Sequence, residues 1–290
     1  MATDGIARTM ADQAAEALAR RDAGAALMAG KRGLIMGVAN DHSIAWGIAQ
    51  TLRQHGAELA FTYQGEAFAK RVKPLAESLG SDCVLPCDVD RPQDLEAVLS
   101  ALEARWQGLD FVVHAIAYSD KDELKGRYLD TTRQNFARTL LVSCYSFTEL
   151  ARRAAPLMKG NGSLLTLSYL GAERVTPNYN VMGVAKAALE ASVRYLAADL
   201  GPDGVRVNAI SAGPMRTLAG SAISDARFVY GWSRAHAPLA RSVSLADVGA
   251  GALYLLSDLS AAVTGEIHHI DCGYNIVGIP SPGRLDGPNV

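Results

Sequence analysis

The stretch GLIMGVANDHSIAWGIAQTLRQHGAELAFTY (33–63) decides the fold. GLIMGV (33–38) is a short apolar run without alternation, as expected for a strand covered on both faces. SIAWGIAQTLRQHG (43–56) reads as a helix, and AELAFTY (57–63) as a second strand. The same rhythm continues through CVLPCDV (83–89), LDFVVHAIA (109–117), GSLLTLSY (162–169), VRVNAIS (205–211) and EIHHID (266–271). Helical stretches lie between them: PQDLEAVLSALEARW (92–106), a long segment from Thr131 to Met158, and YNVMGVAKAALEASVRYLAADLG (179–201). Alternation of this kind predicts the α/β class, a single doubly wound parallel sheet with helices on both faces. No Pro/Gly/Ser linker interrupts it, so one domain is expected over residues 31–280. Residues 1–30 read as a poorly ordered or helical tail, and 281–290 as a C-terminal tail. From Met215 to Val243 the rhythm breaks, which predicts a small lid of short helices and loops over one end of the sheet.

Composition removes several classes of function. In 290 residues, Lys and Arg total 28 against 30 Asp and Glu, a formal charge of −2, so no global field would hold a nucleic acid. Hydrophobic residues at 49% can fill a core and argue against disorder. Four cysteines in a chain this long are not a disulfide scaffold, and no apolar run approaches the roughly 18 residues of a membrane span. Asp4, Asp12, Glu16 and Asp22 speak against a transit peptide, which leaves the cytoplasm as the expected compartment.

The Rossmann-type arrangement directs attention to the strand exits. Gly37 lets the backbone approach a pyrophosphate, and the helix opening at Ser43 and Ile44 offers free N–H groups to the phosphates. The loop is not G-x-G-x-x-G, and by itself reads equally as a plain strand-to-helix turn. The second strand ends at Gln64 with neither acid nor Arg at its tip, which leans toward NADH over NADPH; Lys70 and Arg71 keep the latter open. Asp88 could accept from an adenine amino group with Val89 over the ring, or cap the helix that begins near Pro92; the two roles are compatible. Ile116 suits contact with ribose and nicotinamide, whereas a lone His114 reads as structural. Cys83 and Cys87 read as small apolar side chains, so no metal is expected.

The most informative stretch runs from Ser168 to Lys186. Tyr179 and Lys186 are seven residues apart, two helical turns or about 10.5 Å, on one face. A ribose between them would touch both, and the ammonium would orient it and lower the tyrosine pKa. Counting back from Lys186, the position of the tyrosine in an ordinary ketone reductase holds Met182, and that of its serine holds Tyr169. Met182 cannot donate a proton, which disfavours carbonyl reduction.

These residues resemble the short-chain dehydrogenase/reductase superfamily and, more narrowly, the bacterial enoyl-acyl-carrier-protein reductases. The resemblance rests on Tyr179-x₆-Lys186, on Tyr169 ten residues earlier, and on the loop from Gly37 to Ser43-Ile-Ala. It rests also on Ser211-Ala-Gly-Pro-Met-Arg-Thr217 and Val263-Thr-Gly-Glu-Ile with Asp271-Cys-Gly-Tyr274, and covers residues 31–278. It implies NADH-dependent reduction of trans-2-enoyl thioesters in fatty-acid elongation. Tyr179 would donate to the thioester oxygen, Lys186 would hold the cofactor, and Tyr169 would line the pocket or pack beside it. Gly37, Ser43, Ile44, Gln64, Asp88, Val89, Ile116, Lys186, Met215, Thr217 and Ala219 would contact NADH/NAD. The acyl substrate would lie against Tyr169, Tyr179, Ser119 and Met182, under a mobile loop from Thr217 to Phe228. Arg216, Arg227 and Arg234 would receive an acyl carrier protein, or are solvated surface charge. The resemblance also implies a homotetramer.

Overall fold

The computed structural model describes residues 26–158, 160–217, 220 and 226–279. Seven strands form one parallel sheet: β1 (Arg32–Met36), β2 (Glu58–Tyr63), β3 (Val84–Pro86), β4 (Phe111–His114), β5 (Gly162–Ser168), β6 (Val205–Ala212) and β7 (Ile267–Ile270). Their spatial order is β3-β2-β1-β4-β5-β6-β7. The chain therefore winds outward in one direction from β1 and in the other from β4, and the crevice between those two strands is the topological switch point. In register, Leu34 pairs with Ala60 and with Val112, and Thr166 with His114 and Ala209.

The unalternating apolar runs follow from burial on both faces. Consecutive residues point to opposite sides. Leu34, Val112, Leu164 and Ala209 enter one core, and Ile35, Val113, Leu165 and Ile210 enter the other. The first core is closed by Leu95, Val98 and Leu102 of α3 (Pro92–Trp106), Phe147 and Leu150 of α5 (Ser146–Ala154), and Leu189 and Val193 of α6 (Asn180–Leu200). The second is closed by Ile48 and Leu52 of α1 (Ile44–Gln54), Val72 of α2 (Gly65–Ser78), and Val248 and Leu255 of α8 (Leu245–Leu256). Between β6 and α8, helix α7 (Ala226–His236) occupies the region expected to break the rhythm.

Three expectations are corrected. Met28 is fully buried and its N–H reaches His55 O at 2.9 Å, so packing begins ahead of Lys31. The segment 131–158 is not one helix. It divides into α4 (Arg133–Leu140), a π turn (Leu141–Tyr145), α5, and a 3₁₀ turn at Ala155–Leu157. The strand expected over 109–117 is ordered as strand only at Phe111–His114, which frees the chain after His114 to turn over the sheet end. Most of the two expected tails lies outside the described residues. Among the described residues no helix is long and apolar enough to cross a membrane.

Candidate active site

β1 leaves the sheet through Gly37 at φ +98°, and a Cβ there would stand 2.1 Å from Ala115 O. Only glycine allows both the left-handed backbone and this approach to the exit of β4. Ser43 then begins α1, yet its hydroxyl does not cap the helix. It turns back to accept from Ala39 N at 3.0 Å and Asn40 N at 3.1 Å. The first-turn N–H groups that every helix leaves unpaired are thus not taken by a side chain, and no acid lies in that turn. Free donors and a positive dipole end at the switch point suit a pyrophosphate.

The other expected cofactor residues gather along the same sheet edge. Gln64 is exposed at the N-cap of α2, and Ile116 is half-buried after β4. Met215 follows β6, and its carbonyl accepts from Thr217 N at 2.8 Å. Ala219 lies outside the described residues. Asp88 does not cap α3, whose N-cap is Arg91 with Pro92 opening the helix. Instead the Asp88 carboxylate accepts from Asp90 N at 3.1 Å, which tightens the turn after β3, with Val89 half-buried beside it. The residues present fit a dinucleotide: a glycine crossing, an uncapped helix end, and apolar side chains at the exits of β3, β4 and β6.

Tyr179 is the N-cap of α6 and Lys186 lies inside it, both on the buried face with Met182, Ala185 and Leu189. Tyr179 is flanked by two residues of positive φ, Asn178 at 57° and Asn180 at 34°. Asparagine tolerates this region better than other non-glycine residues, and the double twist sets the ring's direction. Asn180 Nδ2 also reaches the carbonyls of Glu123, Lys125 and Gly126 within 3.4 Å, tying the loop after β4 to the head of α6. The rings of Tyr169 and Tyr179 meet edge to face, centroids 5.0 Å apart at 69°. A Cβ on Gly171 would fall 2.3 Å from the Tyr179 ring, so the turn after Tyr169 must pass it without a side chain. As the N-cap residue Tyr179 makes no side-chain capping bond to the first turn of α6.

The expectation that Lys186 lowers the Tyr179 pKa is corrected: burial holds the phenol well above its ordinary value, with Tyr169 and Glu190 acting in the same sense. Burial pushes Tyr169 up to about 12. Both phenols therefore stay protonated as donors. Lys186 is buried, and its Nζ donates to Leu167 O at 2.7 Å. Desolvation brings it down to about 8, against the opposing pull of Cys144 and Glu190. Beneath it His114 is fully buried, with Nδ1 3.1 Å from Thr166 Oγ1 and Nε2 2.9 Å from Ser146 Oγ. Desolvation and the nearby Lys186 hold it neutral, down to about 3.

Met182 packs with Tyr179, Leu124 and Val181 in one apolar cluster bordered by Tyr169. Ser119, expected against the acyl substrate, has its hydroxyl held by neighbouring side chains. It is buried between Thr139 Oγ1 at 2.9 Å and Asn135 Nδ2 at 3.2 Å, a polar clasp joining the loop after β4 to α4. Glu190 went unnoticed in the sequence, although an acid four residues after Lys186 on an apolar helix face was a visible signal. Among the described residues no cluster of three or more His, Cys, Asp or Glu could hold a metal ion.

Comparisons with known proteins point to one family. The family model of enoyl-(acyl carrier protein) reductases matches residues 37–275. A relative from Rhizobium meliloti, enoyl-[acyl-carrier-protein] reductase [NADH] 2, is 67% identical over 88% of this chain and 95% of its own. A crystal structure of FabI from Candidatus Liberibacter asiaticus superposes with a TM-score of 0.87 at 58% identity, covering 88% of this chain and 99% of that one. A similar structure, the enoyl-(acyl-carrier-protein) reductase of Anaplasma phagocytophilum in complex with NAD, has a TM-score of 0.86 at 58% identity, covering 88% and 98%.

Proposed function

The chain belongs to the enoyl-(acyl carrier protein) reductase family, and from that membership we propose how its own residues carry out NADH-dependent reduction of trans-2-enoyl thioesters. The observation that carries the reading is the group of half-buried Tyr169 with buried Tyr179 and Lys186 at the exit of β5, together with an uncapped helix end at the switch point. The enzyme is an oxidoreductase of fatty-acid synthesis with NADH as cofactor. When bound, NADH supplies the hydride that reaches the substrate β-carbon. Gly37, Ser43 and Ile44 would hold its phosphates, Gln64, Asp88 and Val89 its adenosine, and Ile116, Lys186, Met215, Thr217 and Ala219 its nicotinamide half.

Negative charge collects on the thioester oxygen as the β-carbon is reduced, and a proton taken up at the α-carbon, ultimately from solvent, then completes the saturated thioester. Tyr179 donates a hydrogen bond to that oxygen. Its pKa, held above the ordinary value, keeps the proton on the phenol throughout the working range. The donor is placed before the charge develops, so it stabilises the transition state more than the ground state. Tyr169 supports the Tyr179 ring from its edge, and with Met182 it gives the acyl group an apolar wall. Ser119 acts through the loop it clasps.

The enoyl group arrives on an acyl carrier protein. Arg216, Arg227 and Arg234 are exposed around α7 and would meet that acidic partner at the site's mouth. The reading further takes residues 31–280 as one catalytic domain between tails, with the packing of Met28 extending it slightly. It also takes the protein as a cytoplasmic homotetramer. Exposed aromatic side chains on neighbouring helices support the assembly.

The test is NADH oxidation with a short trans-2-enoyl thioester against a matched 3-ketoacyl thioester. Wild-type protein should form the saturated thioester and leave the ketone unreduced. Tyr179→Phe should keep its NADH affinity and lose about 10²-fold in kcat. Comparable rates on the ketone, or no turnover with NADH, would overturn the reading.

A further inference from the structure

Two side chains four residues apart on α6 take hold of consecutive residues at the end of β5. Lys186 Nζ donates to the carbonyl of Leu167 at 2.7 Å, and the hydroxyl of Ser168 donates to the carboxylate of Glu190. The next residue, Tyr169, leaves the strand and meets the Tyr179 ring. Glu190 is 6% exposed on a helix face that, apart from Lys186, is built from Val181, Met182, Ala185, Leu189, Val193 and Ala197. An acid in such a place is costly unless it is used. We propose that Glu190 is the positioning residue of this site: its carboxylate fixes the exit of β5 through Ser168, and so the place of Tyr169, while, one helical turn from Lys186 on the same buried face, it stands as that lysine's counter-charge. The inference rests on the reading above, in which Lys186 and the two tyrosines are the working groups.

The charges around each partner favour this role. Cys144 of the π turn and Glu190 are the ionisable neighbours that favour the charged form of Lys186, and Lys186 in turn helps keep the buried His114 of β4 neutral. No carboxylate lies within ion-pair distance of Lys186 among the described residues, so Glu190 acts on it through space rather than by contact. Glu190 itself faces Glu173, His269, Arg194 and Tyr179. Burial raises its pKa, whereas Ser168, Arg194 and His269 favour its ionised form.

Three variants separate grip from charge. Glu190→Gln keeps an acceptor for Ser168 and removes the charge. Ser168→Ala keeps the charge and removes the grip. Glu190→Ala removes both. The first readout is ¹³C NMR of lysine Cε in cofactor-free protein, with the Lys186 signal assigned by its loss in Lys186→Met. In Glu190→Gln that signal should titrate at lower pH by roughly half a unit or more, because a nearby negative charge no longer favours the ammonium. In Ser168→Ala it should stay in place. The second readout is turnover relative to wild type. Glu190→Gln should keep kcat within about threefold at pH 6.5 and lose kcat/KM at lower pH than wild type. Ser168→Ala should lose about tenfold in kcat with the alkaline limb unmoved.

A lysine titration unchanged in Glu190→Gln would overturn the charge role, and Ser168→Ala turnover within twofold of wild type would overturn the grip. A merely structural role would lower thermal stability and leave both the titration and the limb where they are. Should Glu190→Ala fail to fold, the other two variants decide. The NMR titration needs neither cofactor nor substrate, so its outcome stands apart from that of the enoyl assay.

Discussion

Lys186 shows at the scale of one residue how function opposes stability. Its ordinary pKa of 10.5 falls to about 8 in the fold, because burial penalises the charged form. Below about pH 8 the lysine is protonated in both states and the full cost of burying the ammonium is present. Between about 8 and 10.5 the unfolded chain binds more protons than the folded one, so stability gained from this group rises with pH across that window. Lys186→Met removes the charge and retains an unbranched side chain. At pH 7 it should stabilise by up to about 3 kcal/mol from the relieved burial, less about 1 kcal/mol for the hydrogen bond to Leu167 O. The expected result is a Tm several degrees above wild type at pH 7, a smaller gain at pH 9.5, and enoyl turnover near zero. A Tm below wild type at pH 7 would refute the cost assigned to Lys186. The Tyr179 and Lys186 pair was legible because helical geometry alone puts residues seven apart on one face. The hydroxyl of Ser119 was not, because its partners Asn135 and Thr139 lie 16 and 20 residues away and only the folded loop joins them.

Among the elements, the segment 131–158 marks where local reading ends. Its composition suits a continuous helix, yet five residues in its middle wind as a π turn. The cause is tertiary. Ser143 accepts from Tyr118 N at 2.9 Å and donates to Tyr118 O at 3.1 Å, acting toward the loop after β4 as a neighbouring strand would. Ser146 meets His114 at 2.9 Å and Val142 O at 2.7 Å. No periodicity encodes a helix that must aim two adjacent hydroxyls at a sheet end, and such bulges often mark functional regions. Ser143→Ala should therefore free the loop that carries Ile116 and Ser119 toward the site. Leaving Tyr118 N–H without its acceptor costs about 1–2 kcal/mol. Hydrogen exchange at the Tyr118 amide should quicken by about tenfold or more, while exchange in β5 and β6 stays as in wild type. Unchanged protection at Tyr118 would mean the serine does not hold the loop.

Across the whole molecule, the doubly wound parallel sheet follows from alternation and right-handed crossovers, and that much could be read before any coordinates, though not the order of its strands. What alternation does not specify is how the outer surfaces are used. Two separate surfaces of this chain look ready for a second copy. On one side, the π turn exposes Leu141 and Tyr145, α4 exposes Phe136, and α6 exposes Val184 and Tyr195, the last 76% accessible. α6 packs directly against the π turn, so these exposed side chains lie on adjoining helices. At another side, β7 ends the sheet with residues only half-buried, and Ile276 stands exposed shortly after it. An apolar helical face pairs with its own copy across a two-fold axis, and an open strand edge can do the same. Two independent two-fold contacts close into a tetramer, whereas one would stop at a dimer. Light scattering on the eluted peak should give the mass of four 30.7-kDa chains. Tyr145→Glu combined with Tyr195→Glu puts charge into the helical face alone, so the protein should then elute as a dimer held by the β7 side. A wild-type monomer at micromolar concentration would refute both contacts, and a double variant that remains tetrameric would refute the helical one.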